Sequence, residues 1–324
     1  MKAVVYTKNG GLEVVKQQSV EIPLPNDDQV LVEVKACALN IGDYQRFQTK
    51  NGKIPVSTYI TNKLMGYVGK PLGAEIAGVV TKTGKNVTHV KTGDAVFGKT
   101  AGTAPVGGIA EYAVMDADRV CRKPDKFSFE EASTISISFD TALGAVRKAD
   151  IKAGQKVMVY GASGGVGLYA VQLAKVAGAE VTGVCSTRNT KLAKSAGCDK
   201  VVDYKKEDFT KTDIKYDAII GVNGCNPMKK YKSIMKKNGV FVGVGDVNQA
   251  MKALAASFTS HNFTYYAGAF TKQPDYLQYA KELAEAGKLH TYIDKVYSAN
   301  ETTEAIQYLL SNHASGKVVI KIDF

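Results

Sequence analysis

Residues 157–175 read VMVYGASGGVGLYAVQLAK, and this line restricts the fold more than any other part of the chain. An apolar, strand-like run ends at Gly161, a string of small residues follows, and Leu168 to Ala177 carries apolar residues at helical spacing. Strand, tight turn and helix in that order form a dinucleotide fingerprint, here with Ala162 in the first glycine place. Gly164 leaves the backbone bare where a pyrophosphate approaches, and Gly167 lets the helix pack close to the strand. The helix N-terminus adds N–H groups and the positive end of its dipole. A glycine triplet alone is weak; its meaning depends on whether more strand–helix units follow.

They do. Strands are predicted at 156–161, 180–185, 200–204, 216–222, 239–245 and 262–266, separated by helical segments, which describes a doubly wound parallel sheet. Ser128, with Glu131 three residues later, fits a capping box that opens the first helix of this region. Before about residue 125 the pattern differs: KAVVY, LEVVKQ, QVLVEVKACAL, IAGVVTKTG, DAVFG and AEYAVM are short β-rich runs between turn residues, as in an antiparallel barrel or sandwich. The tail holds a predicted helix, TTEAIQYLLSNH, and a strand, GKVVIKI, expected to return to the first domain. The expected division is therefore 1–126 with 286–324, and 127–285. The stretch 48–70 fits no element, and loops of this length often serve as lids.

The second strand of the parallel set ends in VCSTRN. An NAD site would want Asp or Glu there to accept from the adenosine ribose. The chain has Cys185, Ser186, Thr187 and Arg188 instead, which favours the 2′-phosphate of NADPH.

At 324 residues the chain suits two domains, and 45% hydrophobic with 23% charged residues is a globular composition. No apolar run approaches the roughly 20 residues of a membrane span, and no signal peptide is visible, so the cytosol is the expected address. Five scattered cysteines without a CxxC pair argue against a disulfide framework or zinc cluster and for reduced, buried thiols. The formal charge of +11 admits an anionic partner, but the densest lysine stretch, NPMKKYKSIMKKNG, has Met228, Tyr231, Ile234 and Met235 at helical spacing and reads as the wet face of a helix.

VKACALNIGD, GAEIAGVV, KTGDAVFG, GGIAEYAV, GASGGVGLYAVQLAK, VCSTRN, GCDKVVDYKKEDF and HASGKVVIKI together carry a family resemblance. Over nearly its whole length the chain resembles the zinc-independent quinone oxidoreductase branch of the medium-chain dehydrogenase/reductases, especially the chloroplast-envelope quinone oxidoreductase homologues and the reticulon-4-interacting-protein group. The resemblance implies an α/β protein with a GroES-like β-barrel catalytic domain, a Rossmann domain, and nicotinamide and substrate held in the cleft between them. In zinc-binding relatives the metal ligands fall where this chain has Asn40, Ala74 and, by spacing from Thr141, Ile137, none of which is a usual zinc ligand. Without a Lewis acid, the remaining chemistry is hydride transfer to a carbon that is already electrophilic, in quinones or α,β-unsaturated carbonyls.

The same resemblance carries Asn40 to the nicotinamide ribose or substrate and Thr141 to the nicotinamide carboxamide. It gives the pyrophosphate to the backbone of Ala162, Ser163, Gly164, Gly165, Val166 and Gly167, and the adenosine phosphate to Ser186, Arg188 and Tyr204. Val222, Asn223, Val244 and Gly245 fall at carboxyl ends of parallel strands, where such folds place ligands. Lys317 is expected at the cofactor phosphates or on the surface, Glu75 as a structural carboxylate, Asp43 as the closure of a turn. Tyr44 is the nearest phenol to Asn40 and a candidate proton donor. Ile41, in a place where the branch has proline, and Asp140, in an apolar place, depart from the pattern.

The expected function is NADPH-dependent reduction of enones, enals or quinones by a homodimer, without a membrane span or a nucleic-acid partner. An NADPH-binding sensor or a zeta-crystallin-like RNA-binding or structural protein is the alternative, and a zinc alcohol dehydrogenase the third.

Overall fold

The computed structural model describes all residues except 46–67, 103–106, 223–225, 246, 259–261, 267–274 and 312–313, so the expected lid at 48–70 lies almost wholly outside it. In chain order, the turn-punctuated first part forms β1 (Lys2–Tyr6), β2 (Val15–Ser19), β3 (Gln29–Ala38), α1 (Ile41–Gln45), β4 (Glu75–Thr83), β5 (Ala95–Lys99), β6 (Tyr112–Asp116) and β7 (Val120–Arg122). Then follow α2 (Phe129–Ser133), α3 (Ser136–Lys148), β8 (Lys156–Tyr160), α4 (Gly165–Val176), β9 (Glu180–Cys185), α5 (Thr190–Ser195) and β10 (Lys200–Asp203). The rest comprises β11 (Tyr216–Gly221), α6 (Met228–Ile234), β12 (Met235–Val244), α7 (Val247–Ser257), β13 (Phe263–Tyr266), α8 (Tyr276–Glu285), β14 (Ile293–Ser298), α9 (Thr302–Leu310) and β15 (Lys317–Lys321).

The chain divides into two compact units, Met1–Ser136 with Ile293–Phe324, and Ile137–Tyr292. The first seam lies beyond the expected 126/127 because α2 packs on β3, β4 and β5. It lies beyond 285/286 at the other end because α8, and the turn after it, stay with the second unit, where Gln172 donates to the carbonyl of His290.

In the first unit β1 and β2 pair antiparallel, and a larger sheet runs β14-β15-β3-β4-β5-β7 with β6 also on β3. The tail strand β15 does return, pairing antiparallel with β3 so that Val319 faces Ala38. On its other side β3 pairs with β4, bringing Ala38 opposite Glu75. Alternate apolar residues of these strands, among them Val32, Ile76, Met115 and Ile320, are buried together. That register matters for the site: the end of β3 and the starts of β4 and β15 lie side by side.

The second unit is a six-stranded sheet, order β10-β9-β8-β11-β12-β13, with every pair parallel. Numbered within the unit this is 3-2-1-4-5-6, the Rossmann order, with its switch point between β8 and β11. Its core packs Tyr231 against Phe241, the rings tilted by 36° with centroids 4.6 Å apart. Two readings need correction. β7 was not expected, and the lysine-rich helix stops at Ile234: Met235 begins β12 opposite Tyr216, so Lys236 sits on a strand and pairs with Asp217 at 2.8 Å. The capping box is present, with the Glu131 N–H donating to Ser128 Oγ at 3.1 Å and the Ser128 N–H to Glu131 Oε2 at 2.8 Å. Cys37, Cys121, Cys185 and Cys198 are buried thiols, and among the described residues no helix is long and apolar enough to cross a membrane.

Candidate functional site

Two sets of candidate residues emerge, one in each unit. In the second, the loop between β8 and α4 is tied to the neighbouring strand: the N–H groups of Gly161 and Ala162 both donate to the Val184 carbonyl, at 3.0 and 3.1 Å. The left-handed backbone of the turn falls on Gly161, φ +85°, one residue before the alanine that stands in the first motif place. This explains how Ala162 is tolerated there. Gly164 caps α4 from extended backbone, so the N–H groups of Gly165, Val166 and Gly167 open the helix and point along its positive end. At Gly167 a Cβ would lie 2.0 Å from the Gly161 carbonyl oxygen, which makes glycine obligatory. Ser163 is buried, its Oγ accepting from Asn189 Nδ2 at 3.0 Å, so the hydroxyl oxygen braces the loop after β9. These features fit a dinucleotide pyrophosphate.

Past β9, Ser186 is half-buried and Arg188 exposed. Tyr204 is exposed, its N–H held by the Cys185 carbonyl at 3.1 Å and its ring covered by Lys205 Nζ at 5.5 Å. Asp203, opposite Cys185 at the end of β10, is a carboxylate the VCSTRN pattern alone does not reveal. The Thr187 hydroxyl, helped by the Lys205 N–H at 3.0 Å, holds its carboxyl below the ordinary value. Its charge is thus turned onto the protein, with Lys205 and Lys206 beside it and Lys206 Nζ at 4.0 Å. Val222 and Gly245 follow adjacent strands, and a Cβ on Gly245 would lie 3.4 Å from the Val222 carbonyl; Val244 is fully buried. Asn223 lies outside the described residues. Thr141 on α3 donates its hydroxyl to the Ile137 carbonyl at 2.8 Å, which leaves its oxygen as an acceptor. Asp140 beside it is buried.

The first unit brings together three residues from three strand ends. Lys317 Nζ lies 2.8 Å from Glu75 Oε2 and 2.8 Å from Asn40 Oδ1, and Asn40 Nδ2 donates to the same Glu75 oxygen at 3.0 Å. Glu75 is fully buried, Lys317 5% exposed, and Asn40 half-buried. The backbone around Asn40 is equally fixed: its N–H donates to Asp43 Oδ2 at 2.8 Å and its carbonyl accepts from the Asp43 N–H at 3.0 Å. Asp43 therefore closes the turn as expected, with the exposed Ile41 in the proline place. Tyr44 follows on α1, its side chain outside the described part. Of the two places expected for Lys317, the surface is excluded: the side chain is buried, and the β15–β3 register delivers its ammonium to Glu75 and Asn40. No local motif signals this, because the partners are 242 residues apart.

The residues around Glu75 do not fit a zinc ion. Asn40 and Ala74 are not zinc ligands, and the Glu75 carboxylate already holds a cation. The nearest thiol, Cys37, is pushed well above its ordinary range by burial, with the Asp43 and Glu75 carboxylates adding to the effect, so it stays protonated. Among the described residues no group of three or more His, Cys, Asp or Glu side chains has the arrangement of a metal site.

The sequence matches the family described as the alcohol dehydrogenase GroES-like domain over residues 26–125 and the one described as zinc-binding dehydrogenase over 196–320. It is 32% identical over 330 residues to 2-methylene-furan-3-one reductase of Solanum lycopersicum, covering 99% of this chain and 79% of that protein. It is 31% identical to the chloroplastic NADPH-dependent alkenal/one oxidoreductase of Arabidopsis thaliana, with the same coverage. The solved quinone oxidoreductase of Coxiella burnetii superposes with a TM-score of 0.88 at 28% identity, covering 100% of this chain and 99% of the other. The chain belongs to the medium-chain dehydrogenase/reductases, in their quinone and alkenal/one oxidoreductase branch.

Proposed function

We propose that this protein uses NADPH to reduce the activated double bond of an enone or enal, or a quinone, without a metal. The observation that carries the reading is the Glu75–Lys317–Asn40 cluster: the Glu75 carboxylate is neutralised by a lysine, and the residues around it do not make a ligand set for a Lewis acid that would polarise a simple alcohol or ketone. The acceptor must then carry its own electrophilic carbon.

When bound, the cofactor would supply a hydride; with a proton added at the α-carbon, its delivery to the β-carbon of an enone would give the saturated product, and hydride with a proton would turn a quinone into the hydroquinone. In this reading the backbone at Ala162–Gly167 cradles the pyrophosphate, and the Thr141 oxygen accepts from the carboxamide NH2 and so fixes which ring face is presented. Val222, Asn223, Val244 and Gly245 line the cofactor at the strand ends. Asn40 meets the nicotinamide ribose or acceptor, and Tyr44 or solvent delivers the proton. Ser186, Arg188 and Tyr204, with Lys205 and Lys206 nearby, favour the 2′-phosphate of NADPH over NADH. The protein is expected to be a cytosolic homodimer joined at an edge of the parallel sheet, which solution mass and cell fractionation would test.

The deciding assay follows NADPH and NADH oxidation by purified, chelator-treated protein on enones, enals and quinones. Turnover with NADPH on any of these supports the proposal, and the preferred acceptor assigns the substrate class. Activity that disappears with the chelator and returns with zinc would overturn it. Tight NADPH binding without turnover would favour the sensor or RNA-binding alternative that the +11 charge allows.

A further inference from the structure

A buried ion pair needs a reason other than stability. Taking both charges out of water is costly, and well-packed apolar residues of like volume often serve a fold as well or better. Lys317 and Glu75 are nonetheless almost completely buried, and the member of their cluster that a ligand can touch is Asn40.

The chemistry of the two ions fixes that amide. An asparagine side chain is nearly symmetric in shape, and its two orientations are told apart only by hydrogen bonding. Here an ammonium, which can only donate, faces Oδ1, and a carboxylate, which can only accept, faces Nδ2. Both ions select the same orientation. Without the lysine, Oδ1 would lose its charged donor, and the amide would be held through Nδ2 alone, by Glu75 and by the Ala38 carbonyl at 3.4 Å. The backbone needs no such help, since Asp43 already holds it from the other side.

We propose that Lys317 is a positioning residue for the hydride-transfer reaction: its ammonium, anchored on Glu75, dictates which way the Asn40 amide faces. This rests on the reading that Asn40 meets the nicotinamide ribose or acceptor. Lys317 itself touches neither.

The test compares Lys317→Met, Lys317→Arg, Asn40→Ala, the double variant Asn40→Ala/Lys317→Met and the charge-free pair Lys317→Met/Glu75→Gln. Each is measured for kcat, KM and NADPH affinity by fluorescence titration. Lys317→Met is expected to lower kcat by about ten- to a hundredfold, the usual worth of a hydrogen bond to a charged group. NADPH affinity should stay within about twofold, and Lys317→Arg should recover part of the rate. Asn40→Ala/Lys317→Met should be no slower than Asn40→Ala alone, because the lysine acts through the amide. If Lys317→Met does not fold, the charge-free pair, which leaves no lone buried charge, carries the same expectation of slow turnover.

A folded charge-free pair with wild-type kcat would overturn the proposal, as would losses that multiply in the double variant. A fall in NADPH affinity that matches the loss of activity would return Lys317 to the phosphates. Wild-type turnover by Asn40→Ala would instead sink the reading of Asn40 on which the proposal rests.

Discussion

At Gly167 the room for change is set by one oxygen atom. A methyl group there would meet the Gly161 carbonyl at 2.0 Å, and relief requires that the helix lift from the strand. Gly167→Ala should cost about 1–3 kcal/mol of stability, as overpacking does, and raise the NADPH dissociation constant more than tenfold. Unchanged binding would show that the loop can shift without losing its N–H groups. Arg188 is the opposite kind of residue, exposed and long. Arg188→Ala should weaken NADPH by roughly tenfold or more and leave NADH unchanged, since only the 2′-phosphate offers a charged acceptor. Equal losses for both cofactors would place the phosphate elsewhere. The glycine loop was legible because its function depends on backbone within a few consecutive residues. Lys317 was not, because its partners are set by strand register across most of the chain. Asp203 escaped for a related reason: it matters only as the neighbour of Cys185 on the next strand.

Among the elements, β9 runs over 180–185 as read from EVTGVC, and the other strands of the parallel sheet agree within a few residues. Fully buried parallel strands bounded by glycines and charged turns leave little ambiguity. The misread helix after Asn226 shows the limit of periodicity: Met228, Tyr231 and Ile234 do line one face, but Met235 continues the pattern by coincidence and starts a strand. Helix α2 has only five residues, too few to stand without its cap. Ser128→Ala removes the acceptor for the Glu131 N–H and should lower stability by about 1 kcal/mol, read as a shift in urea midpoint, while Ser128→Asp should restore most of it. No shift with alanine would mean that packing on β3, β4 and β5 alone holds the helix.

For the molecule as a whole, acid is the expected weakness of the parallel sheet. Burial pushes the Asp199 carboxyl up, but Lys175 at 2.8 Å and the Val181 N–H at 2.7 Å outweigh it and hold the group below its ordinary 3.8. Asp217 is held down in the same way by Lys236 and the Lys156 N–H. Their stabilisation is complete above the unfolded value of 3.8 and lost as pH falls through the lower folded values. Unfolding of the second unit should therefore steepen below about pH 4, and Asp199→Asn should flatten that limb. An acid profile unmoved by this substitution would assign the sensitivity to other groups.

The way β15 closes the first unit also has a consequence in time. Glu75 is synthesised 242 residues before Lys317, and at ordinary elongation rates roughly 10–50 s separate them. All of Ile137–Tyr292 is made in that interval and can close on its own account. The unit begun first on the ribosome is thus finished last, and until its lysine arrives a carboxylate destined for a dry interior has every reason to remain in water.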